Sequence, residues 1–250
     1  MPVFSGKVDV VRTPQPNEVF DPEIGGGVSA LIRLDGDTAD IVAGGNGVDG
    51  DVKLRSGASD ITVHLDGNSA TLFIGGSGRS GDIFVFRASG DDINDVQQAS
   101  IHIDGDAGDI KLFNADFAEE FAFDNNECGP GTVMILDEDP GRLTMSRLAY
   151  DRRVAGVVSG ASDLAPAIVL DHRGDAKMDR AAVAMAGKVY CKVDADVSPV
   201  QIGDLLTSSS TPGHAMAALD YSRAFGSVIG KALEPLPEGR GLVQILVALQ

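Results

Sequence analysis

A short phrase recurs three times in the first half of this chain of 250 residues, and it limits the folds open to the chain. The copies begin at Leu34, Leu65 and Ile103, and each continues with Asp-Gly. A second phrase, Gly-Asp followed by alternating apolar residues, begins at Gly50 and again at Gly81. Self-similarity at a spacing of 31 residues (34 to 65) and then 38 (65 to 103) predicts stacked structural units, each too small to bury a core alone.

Apolar and polar residues alternate in this region over runs of three to six residues. This period of two predicts short, half-buried β-strands, and the Asp-Gly, Gly-Gly and Ser-Gly pairs between the runs are typical of hairpin turns. Strands this short form poor isolated sheets, and their unpaired edges require cover. Two arrangements meet these needs: a single-chain β-solenoid, or a parallel trimer in which three chains bury one another's apolar faces.

We favour the trimer because the repeats differ in length, and residues 91–98 are typical of an insertion at a turn. A trimer of short hairpins tolerates such an insertion more easily than a solenoid does. The prediction is therefore an all-β chain with a repetitive short-strand shaft, which forms a trimeric β-prism or a β-helix-like structure. Its predicted axial core consists of Ile32, Leu34, Ile61, Val63, Leu65, Ile101, Ile103, Ile110 and Leu112.

The second half of the chain has longer apolar stretches, separated by turn clusters that contain Pro-Gly or Gly-Pro. Regular short strands between turn signals predict a compact β-barrel or β-sandwich head. One helical turn is predicted at residues 146–151. The predicted strands are residues 132–136, 154–158, 181–186, 188–193, 227–233 and 242–249.

These patterns divide the chain into three predicted parts. Residues 1–27 are a Pro-rich N-terminal attachment segment with one strand at residues 7–12. Residues 28–114 are the Gly/Asp-rich β-repeat shaft, and residues 115–250 are the C-terminal β head.

The charge of the chain excludes several classes of partner. A formal net charge of −17 repels phosphate backbones and anionic lipid heads, so we expect neither nucleic acid nor membrane partners. The N-terminus lacks a basic start followed by an apolar stretch, and we therefore expect synthesis in the cytoplasm without a secretory signal. Two cysteines, Cys128 and Cys191, permit one disulfide, but nothing else indicates a cysteine framework, and we expect two buried thiols.

Six phrases of the second half resemble the C-terminal β domain of phage tail fibre and tailspike-like proteins. They begin at Asn114, Tyr150, Gly187, Ile202, Thr211 and Val228. The phrase Ala-Asp-Phe-Ala-Glu-Glu-Phe at residues 115–121 is also similar to the start of the intramolecular-chaperone domain called peptidase G2. The resemblance covers residues 114–250 and implies a domain that trimerises a fibre; some members of the family then cut themselves. We expect no self-cleavage here, because Ser162-Asp163 is a common loop dipeptide and no cleavage dyad is evident.

The expected function is therefore a structural and adhesive homotrimeric fibre of a phage, a phage-tail-like particle or a surface appendage. We expect location in a virion or an extracellular appendage, attachment to a larger tail-like assembly through the N-terminus, and a tip that binds a host-surface glycan or protein receptor. Arg147, Arg152 and Arg153 form a basic cluster, which we expect to pair with acids of a neighbouring chain.

Metal binding is a weaker hypothesis. Residues 44–52 resemble a calcium-binding nonapeptide, with Asp49 and Asp51 as candidate ligands, but Asp51 stands where that motif has an apolar residue. The Asp-Gly-Asp triplets are more typical of turns with solvated acids, so we expect no cofactor, with Ca²⁺ as the alternative. His64 and His102 each precede the repeated Asp-Gly phrase by one residue. They are either polar outward positions of strands or, in a trimer, rings of three imidazoles that bind metal.

We do not expect an enzyme. A tailspike-like glycan hydrolase needs a pair of carboxylates across a cleft that usually has aromatic platforms, and this chain has no Trp and three Tyr. No Gly-x-Ser-x-Gly elbow or phosphate-binding loop is present. Two alternatives to the fibre remain: a glycan hydrolase or self-cleaving chaperone, and a calcium-stabilised monomeric β-solenoid.

Overall fold

The computed structural model describes residues 8–11, 30–35, 40–43, 49–58, 60–76, 78–87, 92–123, 128–172 and 180–249, with only the backbone described for residues 8–42 of this set. The described chain is all-β apart from two helical turns, which confirms the predicted class. Its internal contacts divide it into residues 1–111, here called the repeat region, and residues 112–250, here called the C-terminal unit. Most of the predicted attachment segment lies outside the described residues; the strand predicted within it is present.

The described part of the repeat region forms three sheets, each built from three consecutive strands. The middle strand of every sheet ends at the Asp of the repeated Asp-Gly phrase, so this phrase forms the second turn of each sheet. The strands are β1 (Val8–Val11), β2 (Ala30–Asp35), β3 (Asp40–Ala43), β4 (Val52–Arg55), β5 (Ile61–Asp66), β6 (Thr71–Ile74), β7 (Ile83–Val85), β8 (Ile101–Asp104) and β9 (Asp109–Leu112).

The register shows that the three sheets are equivalent. The first apolar residue of each opening strand pairs with the apolar residue directly before Asp-Gly: Val8 with Leu34, Val52 with Leu65, and Ile83 with Ile103. The predicted insertion lies between β7 and β8, where the connection includes a short 3-10 helix at Val96–Gln98. The repeats therefore differ in the connection between their first and second strands, and they agree in the pairing of their strands.

Within the residues described for the C-terminal unit there are ten strands and one helical turn, α1 (Tyr221–Ala224). The strands are β10 (Asp116–Phe123), β11 (Val133–Leu136), β12 (Arg142–Met145), β13 (Val154–Val158), β14 (Pro166–Leu170), β15 (Arg180–Asp194), β16 (Leu205–Ser208), β17 (Ala215–Ala217), β18 (Val228–Ala232) and β19 (Arg240–Ala248).

Strand pairing closes two rings of five strands that share β15. One ring runs β10-β12-β11-β13-β15 and returns to β10, and the other runs β15-β17-β16-β18-β19 and returns to β15. The first half of β15 pairs with β10 and β13, and the second half pairs with β19 along nine residues. Ring closure removes exposed strand edges, which are otherwise sites of aggregation.

Gly187 is the joint at which β15 passes from one ring to the other. It has a φ of +100°, and it pairs with Asp116 of β10. A Cβ atom built on Gly187 would lie 2.6 Å from the backbone oxygen of Ala115. We predicted separate strands on the two sides of this residue, and the structure joins them into one, because glycine permits the bend without ending the ladder.

Two main apolar clusters form the core of the unit. The larger cluster contains Val189 and Cys191 of β15, which pair with Ile245 and Val243 of β19, and it extends to Val133 and Val157 of the other ring. The second cluster contains the remaining cysteine and five larger side chains: Cys128, Phe123, Met134, Leu143, Val158 and Val183. Both cysteines are buried thiols, as predicted, and burial raises the pKa of Cys191 to about 12.

The prediction of a helical turn at residues 146–151 is wrong. Tyr150 has a φ of +60°, which is incompatible with a right-handed helix, and the segment is a turn. The helical turn of this unit lies instead at α1, where the side chain of Asp220 accepts a hydrogen bond from the backbone N–H of Ser222 and caps the first turn.

Candidate functional site

One face of the sheet β4–β5–β6 and one face of the sheet β7–β8–β9 are aliphatic. In the sheet β4–β5–β6, alternation and register place seven apolar residues on the same face: Val52, Leu54, Ile61, Val63, Leu65, Leu72 and Ile74. The opposite face has Lys53, His64 and Phe73. In the next sheet the same alternation groups Ile83, Val85, Ile101 and Ile103.

These aliphatic faces are only partly covered by the described part of the chain, because residues such as Ile61 and Val63 are half-buried and others are exposed. Leu54 is 56% exposed, Leu72 is 50% exposed and Ile110 is 64% exposed. Among the described residues from 49 to 111, Ala99 alone is buried. Fully burying one such side chain stabilises a structure by about 1.5–3 kcal/mol, so these faces are suited to contact another apolar surface.

The predicted axial core falls largely on these faces. Ile61, Val63 and Leu65 share the aliphatic face of β5, and Ile101 and Ile103 share that of β8. Ile110 and Leu112, the last two residues of the predicted core, lie on one side of β9.

The first two residues of the predicted core belong to the sheet β1–β2–β3. The side chains of Ile32 and Leu34 lie outside the described residues, although their backbones pair with β1 and β3 as the equivalent residues do in the other sheets.

The two recurring phrases of the sequence contact each other on the polar side. The carboxylate of Asp51 accepts a hydrogen bond from the N–H of Gly67 at 3.2 Å, and the equivalent Asp82 accepts one from Gly105 at 3.0 Å. A Cβ on Gly67 would lie 2.4 Å from the Gly50 oxygen. The phrases recur together because Gly-Asp of one strand and Asp-Gly of the next form one close backbone contact.

The Asp of each Asp-Gly phrase holds its own turn. Oδ1 of Asp66 accepts hydrogen bonds from the N–H groups of Asn68 and Ser69, each at 3.0 Å. Oδ1 of Asp104 accepts the equivalent bonds two and three residues further on, at 3.0 and 2.9 Å. These bonds confirm that the Asp-Gly-Asp triplet at residues 104–106 is a turn.

His64 and His102 each lie beside the aspartate of the preceding Gly-Asp phrase, on the polar face of their sheet. Nε2 of His64 is 3.1 Å from Oδ2 of Asp51, and Nε2 of His102 is 3.7 Å from Oδ2 of Asp82. His64 stacks on Phe73 at a centroid distance of 5.6 Å, and His102 stacks on Phe84 at 4.1 Å. Both histidines therefore lie on the polar faces of their sheets, with side chains that are only 19% and 14% exposed.

Lysines neutralise part of this negative charge. Nζ of Lys53 is 2.7 Å from Asp51, and Nζ of Lys111 is 2.5 Å from Asp104. The hydrogen bond from Lys53, followed by the neighbouring His64, lowers the pKa of Asp51 to about 2. The backbone N–H of Ala107, followed by Lys111, lowers the pKa of Asp104 to about 2. Both carboxylates are therefore anionic at neutral pH.

Sequence reasoning found part of these clusters. It singled out Asp51, His64 and His102, but it missed Asp82 and the ligand role open to Asp104. The sequence signal that could have found Asp82 is the recurrence of Gly-Asp, which places an Asp near His64 in one sheet and near His102 in the next. Asp49 is exposed, and residues 44–48 of the calcium-like motif lie outside the described residues.

The C-terminal unit has a shallow groove with a volume of about 350 Å³ and a cationic lining. The lining consists of Pro130, Lys192, His214, Arg240, Gly241 and Leu242. Nζ of Lys192 donates to Oγ1 of Thr132 at 2.9 Å, which holds the ammonium in place. Ammonium and guanidinium donors around a groove can bind a carboxylate or a sulfate.

A buried acid beside this groove positions Arg240. Asp194 is 3% exposed, its Oδ2 lies 3.4 Å from Nε of Arg240, and it accepts a hydrogen bond from Oγ1 of Thr211. Burial opposes ionisation of Asp194, but the bonds from Thr211 and the backbone of Asp196, with the charge of Arg240, outweigh it and lower the pKa.

A second buried acid, Asp116, has a structural setting. Ser159 Oγ donates to Oδ2 of Asp116 at 2.6 Å, inside the ring that contains β10. Burial raises the pKa of Asp116, and the hydrogen bond from Ser159 offsets part of this effect. Ser162 and Asp163 are exposed turn residues, as predicted.

The basic cluster differs from the prediction at one residue. Arg153 pairs with Asp151 of its own chain at 2.8 Å, because the turn before β13 brings the two side chains together. Arg147 and Arg152 are exposed.

No family model matches the chain, and no curated protein matches it. Within the described residues, no helix has the length and apolar character needed to cross a membrane.

Proposed function

We propose that this chain is a structural and adhesive fibre protein that acts as a parallel homotrimer in a phage, a phage-tail-like particle or a surface appendage. The observation that carries the proposal is the contrast between the two parts of the chain. The C-terminal unit buries apolar cores of its own, whereas the described aliphatic faces of the repeat region are half-buried to exposed in a single chain. A second surface is therefore required to bury them.

Two further copies of the same chain supply that surface most simply. In a trimeric β-prism, equivalent sheets from three chains face a common axis, and every aliphatic face meets two others of matching chemistry. A different protein would need an apolar surface that fits three repeats in succession. An identical chain in parallel already has an equivalent sheet at each level, so its apolar faces fit without further requirement. The net charge of −17 keeps assembled fibres from associating side by side.

The mass of the native protein tests this proposal. Light scattering is expected to give roughly three times the chain mass of 25.9 kDa, and the denatured chain is expected to keep its full mass. A stable monomer whose circular dichroism is lost on addition of a chelator would support the calcium-stabilised solenoid instead. A chain shortened at one site would support the self-cleaving chaperone, and either outcome contradicts the fibre as stated.

The adhesive part of the proposal assigns receptor contact to the cationic groove of the C-terminal unit. The receptor class that fits is a host-surface glycan or protein that carries a carboxylate or a sulfate, because Lys192 and Arg240 present donors there in an otherwise acidic chain. Attachment to a larger assembly through the N-terminus and location in a virion or appendage complete the proposal.

Binding of a sialylated trisaccharide, compared with neutral lactose, tests the groove. The acidic sugar is expected to bind more tightly, and Lys192→Gln is expected to weaken it by about ten- to a hundredfold, because one charge-assisted hydrogen bond is lost. Lys188→Gln is the matched control, since Lys188 lies on the same face of β15 outside the groove. Equal binding of the two sugars, or equal effects of the two variants, would show that the groove is not the receptor site.

A further inference from the structure

We propose that Asp82, His102 and Asp104 form a binding site for a divalent transition-metal ion such as Zn²⁺. Each residue offers one ligand atom, and the three atoms lie within 4.8 Å of one another. Asp82 directly precedes β7, and the other two residues belong to β8, so two paired strands present all three ligands. The proposal concerns a single chain and does not depend on the fibre.

Both carboxylates are held by the backbone in a way that leaves one oxygen for an ion. Oδ1 of Asp82 accepts from the N–H of Gly105, and its Oδ2 faces His102. Oδ1 of Asp104 accepts from the N–H groups of Asp106 and Ala107, and its Oδ2 contacts a lysine. Such outer hydrogen bonds orient metal ligands and keep them ionised.

The imidazole is also positioned. The ring of His102 stacks on Phe84 with an interplanar angle of 16°, and its side chain is 14% exposed. Nε2 is buried and makes no hydrogen bond among the described residues. One neutral imidazole nitrogen with two carboxylate oxygens matches the ligand preference of Zn²⁺, with water as the fourth ligand, whereas Ca²⁺ prefers an all-oxygen shell.

The ammonium group of Lys111 occupies a position beside Asp104 that a metal ion could take. Its ammonium lies 2.5 Å from Oδ2 of Asp104 and 3.6 Å from Asp109. The lysine side chain is 46% exposed, so it can turn to solvent when a metal ion replaces it. A metal ion therefore competes with a tethered ammonium, and removal of that ammonium should strengthen metal binding.

The other repeats provide internal comparisons. In the preceding sheet, Asp51 and His64 occupy the equivalent positions, but Lys53 contacts the same Asp51 oxygen that faces the histidine. In the first sheet, Arg33 stands at the histidine position and has no ligand nitrogen. We therefore expect the strongest site in the third sheet and a weaker site in the second.

Calorimetric titration of the full chain with Zn²⁺ tests the site. We expect saturable binding that His102→Asn weakens at least tenfold and Lys111→Gln strengthens severalfold, while His64→Asn leaves the stronger binding step unchanged. Lys111→Gln alters an exposed side chain and keeps the test valid if His102→Asn does not fold. Absence of Zn²⁺ binding to the native chain, or binding that neither His102→Asn nor Lys111→Gln changes, would overturn the proposal.

Discussion

Replacing Leu65 with Asp is expected to convert the proposed trimer into single chains. Leu65 lies on the aliphatic face of β5, 47% exposed, and pairs across the sheet with Val52 and Leu72. In a trimer the substitution would place three carboxylates at one level of an apolar axis. Burying an unpaired charge costs several kcal/mol, so the association constant should fall by a factor on the order of a thousand or more.

Sedimentation velocity at several protein concentrations measures this change. The matched control is Thr62→Asp, which introduces the same charge on the opposite face of the same strand and should leave the trimer intact. Circular dichroism and amide exchange should show that the C-terminal unit keeps its fold in both variants, because its cores are its own. A trimer that survives Leu65→Asp, or equal dissociation in both variants, would contradict interchain burial of the aliphatic faces.

Replacing Gly187 with Ala is expected to destabilise the C-terminal unit strongly. The residue has a φ of +100°, a conformation that costs a non-glycine residue about 1–3 kcal/mol. The added Cβ would also lie 2.6 Å from the Ala115 oxygen, which is fixed by its hydrogen bond from the N–H of Lys188. The conformational cost and the close contact together are expected to lower the free energy of unfolding by roughly 3–5 kcal/mol, a size that indicates a specific structural cause.

Chemical denaturation followed by far-ultraviolet circular dichroism measures this loss. Gly160→Ala separates the two effects, because Gly160 has a φ of +93° but no atom lies within 4 Å of the place that an added Cβ would occupy. The control should lose only the conformational part, about 1–2 kcal/mol. Similar losses in the two variants would show that the contact with Ala115 is unimportant at the joint.

The turns of the repeat region illustrate what could be predicted locally. Asp66 and Asp104 lie in turns because a short acceptor side chain two or three residues before an N–H group closes an Asx turn, and this depends on neighbours in sequence. The contact of Gly67 with Gly50 could not be predicted in this way, since the two residues are far apart in the chain and meet only when β4 and β5 pair.

The candidate sites also contain some residues that the sequence could indicate and others that only the fold brings together. The histidines could be chosen as candidates because they occupy the same place in two repeats. Their carboxylate neighbours could not, since Asp82 reaches His102 only through the pairing of β7 with β8. The cationic groove was missed altogether, because Lys192, His214 and Arg240 come from three separate segments and no local pattern connects them.

The amino-acid sequence by itself determined the alternation that makes strands, the turn residues between them and the equivalence of the repeats, because these depend on the conformations of adjacent residues. Only the tertiary structure decided that nine of the ten described strands of the C-terminal unit close into two rings that share β15, with β14 at the edge beside β10. Gly187 shows the reason: taken alone, a glycine between two apolar runs marks a break, and only the pairing of Asp116 with that glycine makes it the joint of a continuous strand.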